Sequence, residues 1–280
     1  MPGTWCNKSD LRLHPGRAGT ETRPYGDDRG FTLIELVVVI VIVGILSVLG
    51  GQFIVAPITG YVDLSRRARL VDQAEMAMRR MQRDIRAALP NSITVTETSV
   101  TMINTVDGGR YRRYVASDGS GDILSFTETD TSFDVLGGLG PDPEGKDFAD
   151  RYLVVYNVSP SYPPNPIPKI NECISTGGSF SCDYEEVIFP QPSPYQRFFV
   201  VDAETTYSCD LANRELLRTS SPLSGGTSSD AVVTAGVKDC KFTYNPGATQ
   251  RAGLVTLEIS LTEAEETINL IHQVHVVNAP

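Results

Sequence analysis

Five cysteines, three histidines and a glutamate at the mouth of an apolar run carry most of the side-chain chemistry open to this 280-residue chain. Cys6 stands apart near the start; Cys173, Cys182, Cys209 and Cys240 form an even set further on. In an exported domain such a set reads as two disulfides, with three pairings possible. Cys173–Cys182 is favoured because it pins a long loop, and Cys209–Cys240 because it ties two strand regions. A zinc site built from all four is the alternative, though no pair has the close spacing such sites use. His272 and His275 lie three apart on a predicted strand, so their side chains face opposite sides and make no joint metal site. Asp118-Gly119-Ser120-Gly121-Asp122 places side-chain oxygens at positions one, three and five of a calcium loop. It has Ile123 where the loop needs glycine and lacks the closing glutamate, so a polar turn explains it as well. Tyr111-Arg112-Arg113-Tyr114 interleaves bases with aromatics, as a single-strand nucleic-acid site does. Against an acidic background an exposed edge strand accounts for it better. No nucleophile elbow, Walker loop or paired-carboxylate site has a convincing setting. The chain is therefore expected to be no enzyme and to need no metal or cofactor.

Glu35 has a different setting. Positions 36–62 hold no charged residue, with Glu35 before them and Asp63 after. A bilayer core needs about 20 mostly apolar residues in a helix, and a water-soluble helix of this length would show a polar stripe. The segment is expected to span a membrane. A carboxylate at the edge of such a span costs a few kcal/mol to insert and usually marks a function. Elsewhere 24 Lys and Arg stand against 34 Asp and Glu, a net charge of −10. That balance repels nucleic-acid phosphates, and no nucleic-acid partner is expected.

The residues leading into the span, Arg29-Gly30-Phe31-Thr32-Leu33-Ile34-Glu35, resemble a type IV prepilin signal. The resemblance implies an inner-membrane peptidase that cuts after Gly30 and N-methylates Phe31, leaving Glu35 as the fifth residue of the mature chain. It also implies that Glu35 is neutralised by the free amine of Phe31 on a neighbouring subunit. An α-amino group titrates near 8, so cleavage itself creates the partner charge. Implied partners are the peptidase/methyltransferase, major and other minor pilins, the inner-membrane assembly platform and membrane lipid. Arg17, Arg23 and Arg29 precede the span, whereas Arg66, Arg67, Arg69, Arg79 and Arg80 follow it. A plain positive-inside count thus opposes export, but long C-terminal domains translocate largely regardless of charge. The expected arrangement is a single pass of the inner membrane with a periplasmic C-terminal domain.

Beyond Pro57 an amphipathic helix is predicted, with Leu64, Val71, Met78 and Ile85 recurring every seven residues and Ala74, Met81 and Ala88 between them. Leu89-Pro90-Asn91 stops it. A helix over residues 31–89 would be roughly 88 Å long if straight, with a bend or local melting at Gly50-Gly51 or Pro57. β-Rich sequence follows. Asp107-Gly108-Gly109 is predicted as a hairpin turn, with strands at 93–103, 111–115, 123–127, 152–158, 198–202, 215–218, 232–237 and 240–244. The clearest strands, 254–261 and 267–277, are joined by a short polar connection and should pair antiparallel. Loops rich in Gly, Pro and Ser are expected at 137–145, 159–168 and 220–229. The organisation predicted is a leader (1–30), a transmembrane and assembly half-helix (31–61), an amphipathic half-helix (62–90) and a β-rich domain (91–280). The fold class is α+β, a long N-terminal helix packed on an antiparallel β-rich domain.

Residues 81–93 at the helix end and 272–280 at the C-terminus are similar to minor pilin-like proteins of the mannose-sensitive haemagglutinin (MSHA) pilus system. That similarity implies a subunit made in small amounts that primes or caps a pilus. A J-type minor pseudopilin of type II secretion shares the helix and β-domain, and neighbouring genes would separate the two. A tip adhesin or DNA-uptake subunit would instead carry an exposed aromatic or basic patch on the β-domain.

Overall fold

The computed structural model describes residues 30–137, 148, 150–158, 166–176, 179–246 and 253–276. The leader positions 1–29 with Cys6, most of the predicted loops at 137–145 and 159–168, and residues 277–280 lie outside that set. Two compact units divide the chain, residues 1–57 and 58–280. One helix, α1 (Leu33–Arg86), passes from the first into the second, and twelve strands follow it. The class is α+β, as predicted.

In the first unit, local chemistry starts the helix. Thr32 accepts the Glu35 N–H on its hydroxyl at 3.3 Å and the Leu36 N–H on its carbonyl at 3.2 Å. This is an N-cap with a glutamate three residues on, and Glu35 also favours the positive end of the helix dipole. Every residue from 31 to 49 is exposed, and Leu33–Gly50 has a mean hydropathy of 3.0. Water-soluble surfaces rarely hold so large a contiguous apolar area. Ser47, a polar exception, donates to the Val43 carbonyl at 2.7 Å and so satisfies its hydroxyl inside the helix. The expected melting at Gly50-Gly51 or Pro57 does not occur, since α1 is helical through all three. A proline removes a single ladder donor, and the bonds on either side carry the helix across it.

In the second unit, the helix buries Leu70, Ala74, Ala77, Met78, Met81 and Ile85, each at most 2% exposed. This corrects the predicted stripe: Leu64 is 67% exposed and Val71 37%. A strict seven-residue repeat drifts around an uncoiled helix, whereas packing on a sheet follows alternating steps of three and four. The helix ends at Arg86, three residues before the predicted stop, and the backbone at 88–89 joins β-structure, with the Leu89 N–H bonded to the Ile103 carbonyl at 2.9 Å.

The strands are β1 (Thr94–Val95), β2 (Ser99–Tyr111), β3 (Asp130–Leu136), β4 (Tyr152–Val155), β5 (Ile170–Thr176), β6 (Ser179–Val187), β7 (Arg197–Asp210), β8 (Glu215–Pro222), β9 (Ser229–Ala235), β10 (Val237–Asn245), β11 (Gly253–Glu263) and β12 (Glu266–Val276). Nine form one sheet in the order β5-β6-β3-β2-β7-β8-β9, with β1 beside β2 and β4 beside β7; β10-β11-β12 form a second. Gly236, at a φ of 77°, turns the chain from the first sheet into the second, which splits the strand predicted at 232–237. Ala264 and Glu265, both at positive φ, make the two-residue β11–β12 turn where the short polar connection was predicted. The helix face, Val100 and Met102 of β2, Tyr207 of β7, Leu216 of β8, and Phe242, Leu257, Ile259 and Val274 of the second sheet share one core. A second core is aromatic: Tyr111, Phe133, Tyr184, Phe189 and Phe198 contact one another with ring centres 5.1–6.5 Å apart.

Several strand predictions need correction. Asp107, Gly108 and Gly109 are no hairpin turn; they lie inside β2, opposite Val200, Phe199 and Phe198 of β7. A Cβ on Gly108 would lie 2.9 Å from the Phe198 carbonyl, and one on Gly109 2.9 Å from the Phe198 ring. These glycines therefore serve close approach, not a reversal. Residues 123–127 are not strand either. The strand expected at 152–158 stops at Val155, where Tyr156 takes a φ of 53°. Three strands went unpredicted, β3, β5 and β6, because their Ser, Thr, Asn and Asp content reads as loop.

Candidate functional site

The N-terminal residues are accessible. A Cβ on Gly30 would meet no atom within 4 Å, and its φ is not in the left-handed region. Nothing in the fold demands glycine there. Phe31 is 83% exposed, and the Glu35 carboxylate has no partner among the described residues, although its backbone N–H is held by Thr32. Gly30, Phe31 and Glu35 thus sit together at the start of an exposed apolar helix, with the acid one turn from the exposed phenylalanine.

The cysteines are paired as favoured from sequence, Cys173 with Cys182 and Cys209 with Cys240. The first does not pin a loop, however. Cys173 and Cys182 are directly opposed across the β5–β6 pair. Cys209–Cys240 joins β7 to β10 and so ties the two sheets covalently. With sequence separations of 9 and 31, each bond restricts the unfolded chain by roughly 2–4 kcal/mol in the chain-entropy picture. The four-cysteine zinc alternative falls with these bonds, and no cluster of three His, Cys, Asp or Glu among the described residues could hold a metal. Protein from its native membrane is expected to show no thiol reactive with a maleimide until a reductant is added. Two or more labelled thiols in the unreduced, denatured mature chain would refute that pairing.

His272 and His275 lie on β12 opposite Leu257 and Leu254, an odd spacing that sends their side chains to opposite faces. The Asp118 carboxylate accepts the Ser120 N–H at 2.9 Å and its hydroxyl at 2.5 Å, and these bonds hold its pKa below the ordinary value. Asp122 accepts the Ser132 hydroxyl at 2.6 Å. Residues 118–122 are therefore a self-satisfied polar turn. The Tyr111–Tyr114 motif is divided rather than exposed as an edge. Tyr111 ends β2, an interior strand, and is fully buried, its hydroxyl accepting the Ser193 N–H at 2.9 Å. Arg112 pairs with Asp134 at 3.0 Å, while Arg113 lies over the exposed Tyr114 ring. The aromatic interior claimed the first tyrosine because it points to the buried face of β2, where its ring packs on Phe126 and Phe133.

One constellation escaped the sequence reading. Asp84 of α1 accepts the Tyr207 hydroxyl at 2.7 Å and the Arg218 Nε–H at 2.9 Å on the same oxygen. Arg218 and Asp84 side chains are 21% and 25% exposed. Burial pushes the Tyr207 pKa far up, and the hydrogen bond from its hydroxyl to Asp84 adds to this. Burial is the largest single influence on Arg218 and opposes its charge, but the hydrogen bonds and charge interactions with Asp84 and Tyr207 together outweigh it and raise the pKa. The cluster locks the helix to β7 and β8. A signal was present: Met81, Asp84, Ile85 and Ala88 lie at helical spacing, so a carboxylate falls on the buried face.

The prokaryotic N-terminal methylation motif matches residues 26–50. It carries the type IV pilin-like signal, indicates a type IV pilin-like or pseudopilin protein, and implies processing by a prepilin peptidase and pilin-type assembly partners. The apolar helix with this motif fits the membrane anchoring typical of pilins. No curated protein and no solved structure matches the chain.

Proposed function

We propose that this chain is a minor pilin or pseudopilin subunit, of the MshO type in an MSHA-like pilus system, which primes or caps assembly through its N-terminal helix. It acts without catalysis, anchored in the inner membrane with residues 58–280 in the periplasm, and contacts neighbouring pilins and the assembly platform. One observation carries this reading: Glu35 is the sole charge in the exposed apolar window Leu33–Gly50, four residues from Phe31. In a bundle of such helices an unpaired carboxylate is destabilising by roughly several kcal/mol unless it meets a cation. The α-amine freed at Phe31 supplies one, and pairing with a neighbouring chain would also set the axial stagger between subunits. The two disulfides agree with an oxidising compartment. Genes of an MSHA-type pilus beside this one would support the finer assignment, and type II secretion genes would replace it with a J-type pseudopilin.

The test is Glu35→Ala in the native host. Membrane fractionation and the mature-size band are expected to stay normal, while co-purification of neighbouring pilins falls at least tenfold. Undiminished co-purification with normal pilus number would reduce Glu35 to an interfacial N-terminal helix residue.

A further inference from the structure

β9 is the last strand of the nine-stranded sheet, and no described strand pairs with its outer edge. Such an edge presents unpaired backbone donors and acceptors, which proteins usually guard with lysines, prolines or a covering element. β9 reads Ser-Asp-Ala-Val-Val-Thr-Ala, with neither lysine nor proline, and most of it is exposed. Val233 is the extra residue where the β8–β9 register shifts, so it lacks an opposed partner in β8. Alongside runs a groove of about 700 Å³ between residues 73–83 of α1 and residues 233–235 of β9. Its apolar lining comprises Met76, Ala77, Val233 and Ala235. Its helix wall carries Arg79, Arg80 and Arg83. Arg79 is paired with Glu75, but Arg80 and Arg83 form no ion pair among the described residues. Three arginines thus line a groove that borders the end of a terminal strand, in a chain whose net charge is −10.

We propose that this groove binds an extended acidic segment of another polypeptide, which lies along β9 as an added strand with its carboxylates on Arg80 and Arg83. Charge complementarity selects the sign of the occupant, because uncompensated guanidinium groups repel basic chains and recognise carboxylates with directed donors. The strand edge selects its conformation: an extended backbone alone satisfies a row of N–H and C=O groups, while the apolar lining residues accept side chains of the added strand. Anionic lipid would use the arginines but leave the strand edge unmet. The site lies wholly within residues 58–280 and does not depend on assembly through Glu35.

The full chain in detergent micelles is titrated with a fluorescein-labelled, N-acetylated octapeptide of alternating glutamate and valine, followed by anisotropy. Three comparisons accompany it: the lysine–valine peptide, the glutamate peptide N-methylated at alternate amides, and vesicles containing phosphatidylglycerol as competitor. The acidic peptide is expected to bind at least tenfold more tightly than either peptide analogue. Arg80→Gln with Arg83→Gln, both exposed positions, should lower its affinity about tenfold with unchanged circular dichroism, whereas Glu35→Ala should leave it unchanged. Equal binding of the lysine peptide overturns the proposal. Full binding of the N-methylated peptide makes the groove an anion site only, and displacement by vesicles assigns it to lipid. If the double variant misfolds, the peptide comparisons on the unaltered chain still decide the matter.

Discussion

Protein recovered from its native membrane is expected to begin at Phe31, with an intact mass lower by residues 1–30 and higher by one methyl group. Gly30→Leu should abolish this processing and leave the full-length precursor in the membrane. The effect is expected to be near complete because nothing else in the chain compensates for the scissile glycine. Folding does not confound the experiment. Gly30 has open space around a built Cβ and no left-handed φ, so a side chain there starts without a clash and strains no backbone. It also precedes Thr32, whose cap to Glu35 N–H starts the helix without it. A loss of processing in Gly30→Leu would therefore reflect the peptidase's need for a residue without a side chain. A mature N-terminus beyond the apolar run would mean an ordinary secretory signal, cleaved on its far side, and the assembly role of Glu35 would go with it.

The second large effect is expected in the β-domain. Asp84→Ala removes the one carboxylate oxygen that serves both Tyr207 and Arg218. Fully burying an orphaned charge costs about 3–5 kcal/mol. These side chains keep 21–25% exposure, so solvent screens part of that cost and a loss of roughly 2–3 kcal/mol is expected. Urea unfolding of the full chain in micelles, followed by near-ultraviolet circular dichroism, measures it. Asp84→Asn keeps an acceptor for the tyrosine and should lose less. Combining Asp84→Ala with Arg218→Met removes the orphaned cation, so the double variant should lose clearly less than the two single losses together. Strict additivity would show that Asp84 and Arg218 stabilise the helix–sheet contact independently, and the cluster would cease to act as a unit.

The candidate site was more legible in the sequence than the fold that follows it. Gly30, Phe31 and Glu35 are contiguous with the apolar run, so their relation needs no tertiary information. The β11–β12 pair was equally legible, because alternating strands joined by a two-residue turn involve local contacts alone. Legibility failed where a residue's role depends on a distant partner. Gly108 and Gly109 read as a turn until Phe198, some ninety residues on, is laid against them. Tyr111 reads as surface until the rings of Phe126 and Phe133, later in the chain, pack against it. β5 and β6 read as loop because their polar residues hide a pairing that the Cys173–Cys182 bond closes.

The amino-acid order alone determined that the chain carries an apolar helical segment led by Gly30, Phe31 and Glu35. Hydrophobic length and the order of contiguous residues are local properties, and the solvent acts on them directly. Tertiary structure alone decided which face of residues 58–86 is buried, that Cys173–Cys182 bridges a strand pair and not a loop, and that Asp84, Tyr207 and Arg218 meet. It also decided that β9 ends its sheet beside a row of arginines. Each of these depends on contacts between residues far apart in sequence, whose closure entropy is offset only when both sheets and the helix bury their apolar faces together.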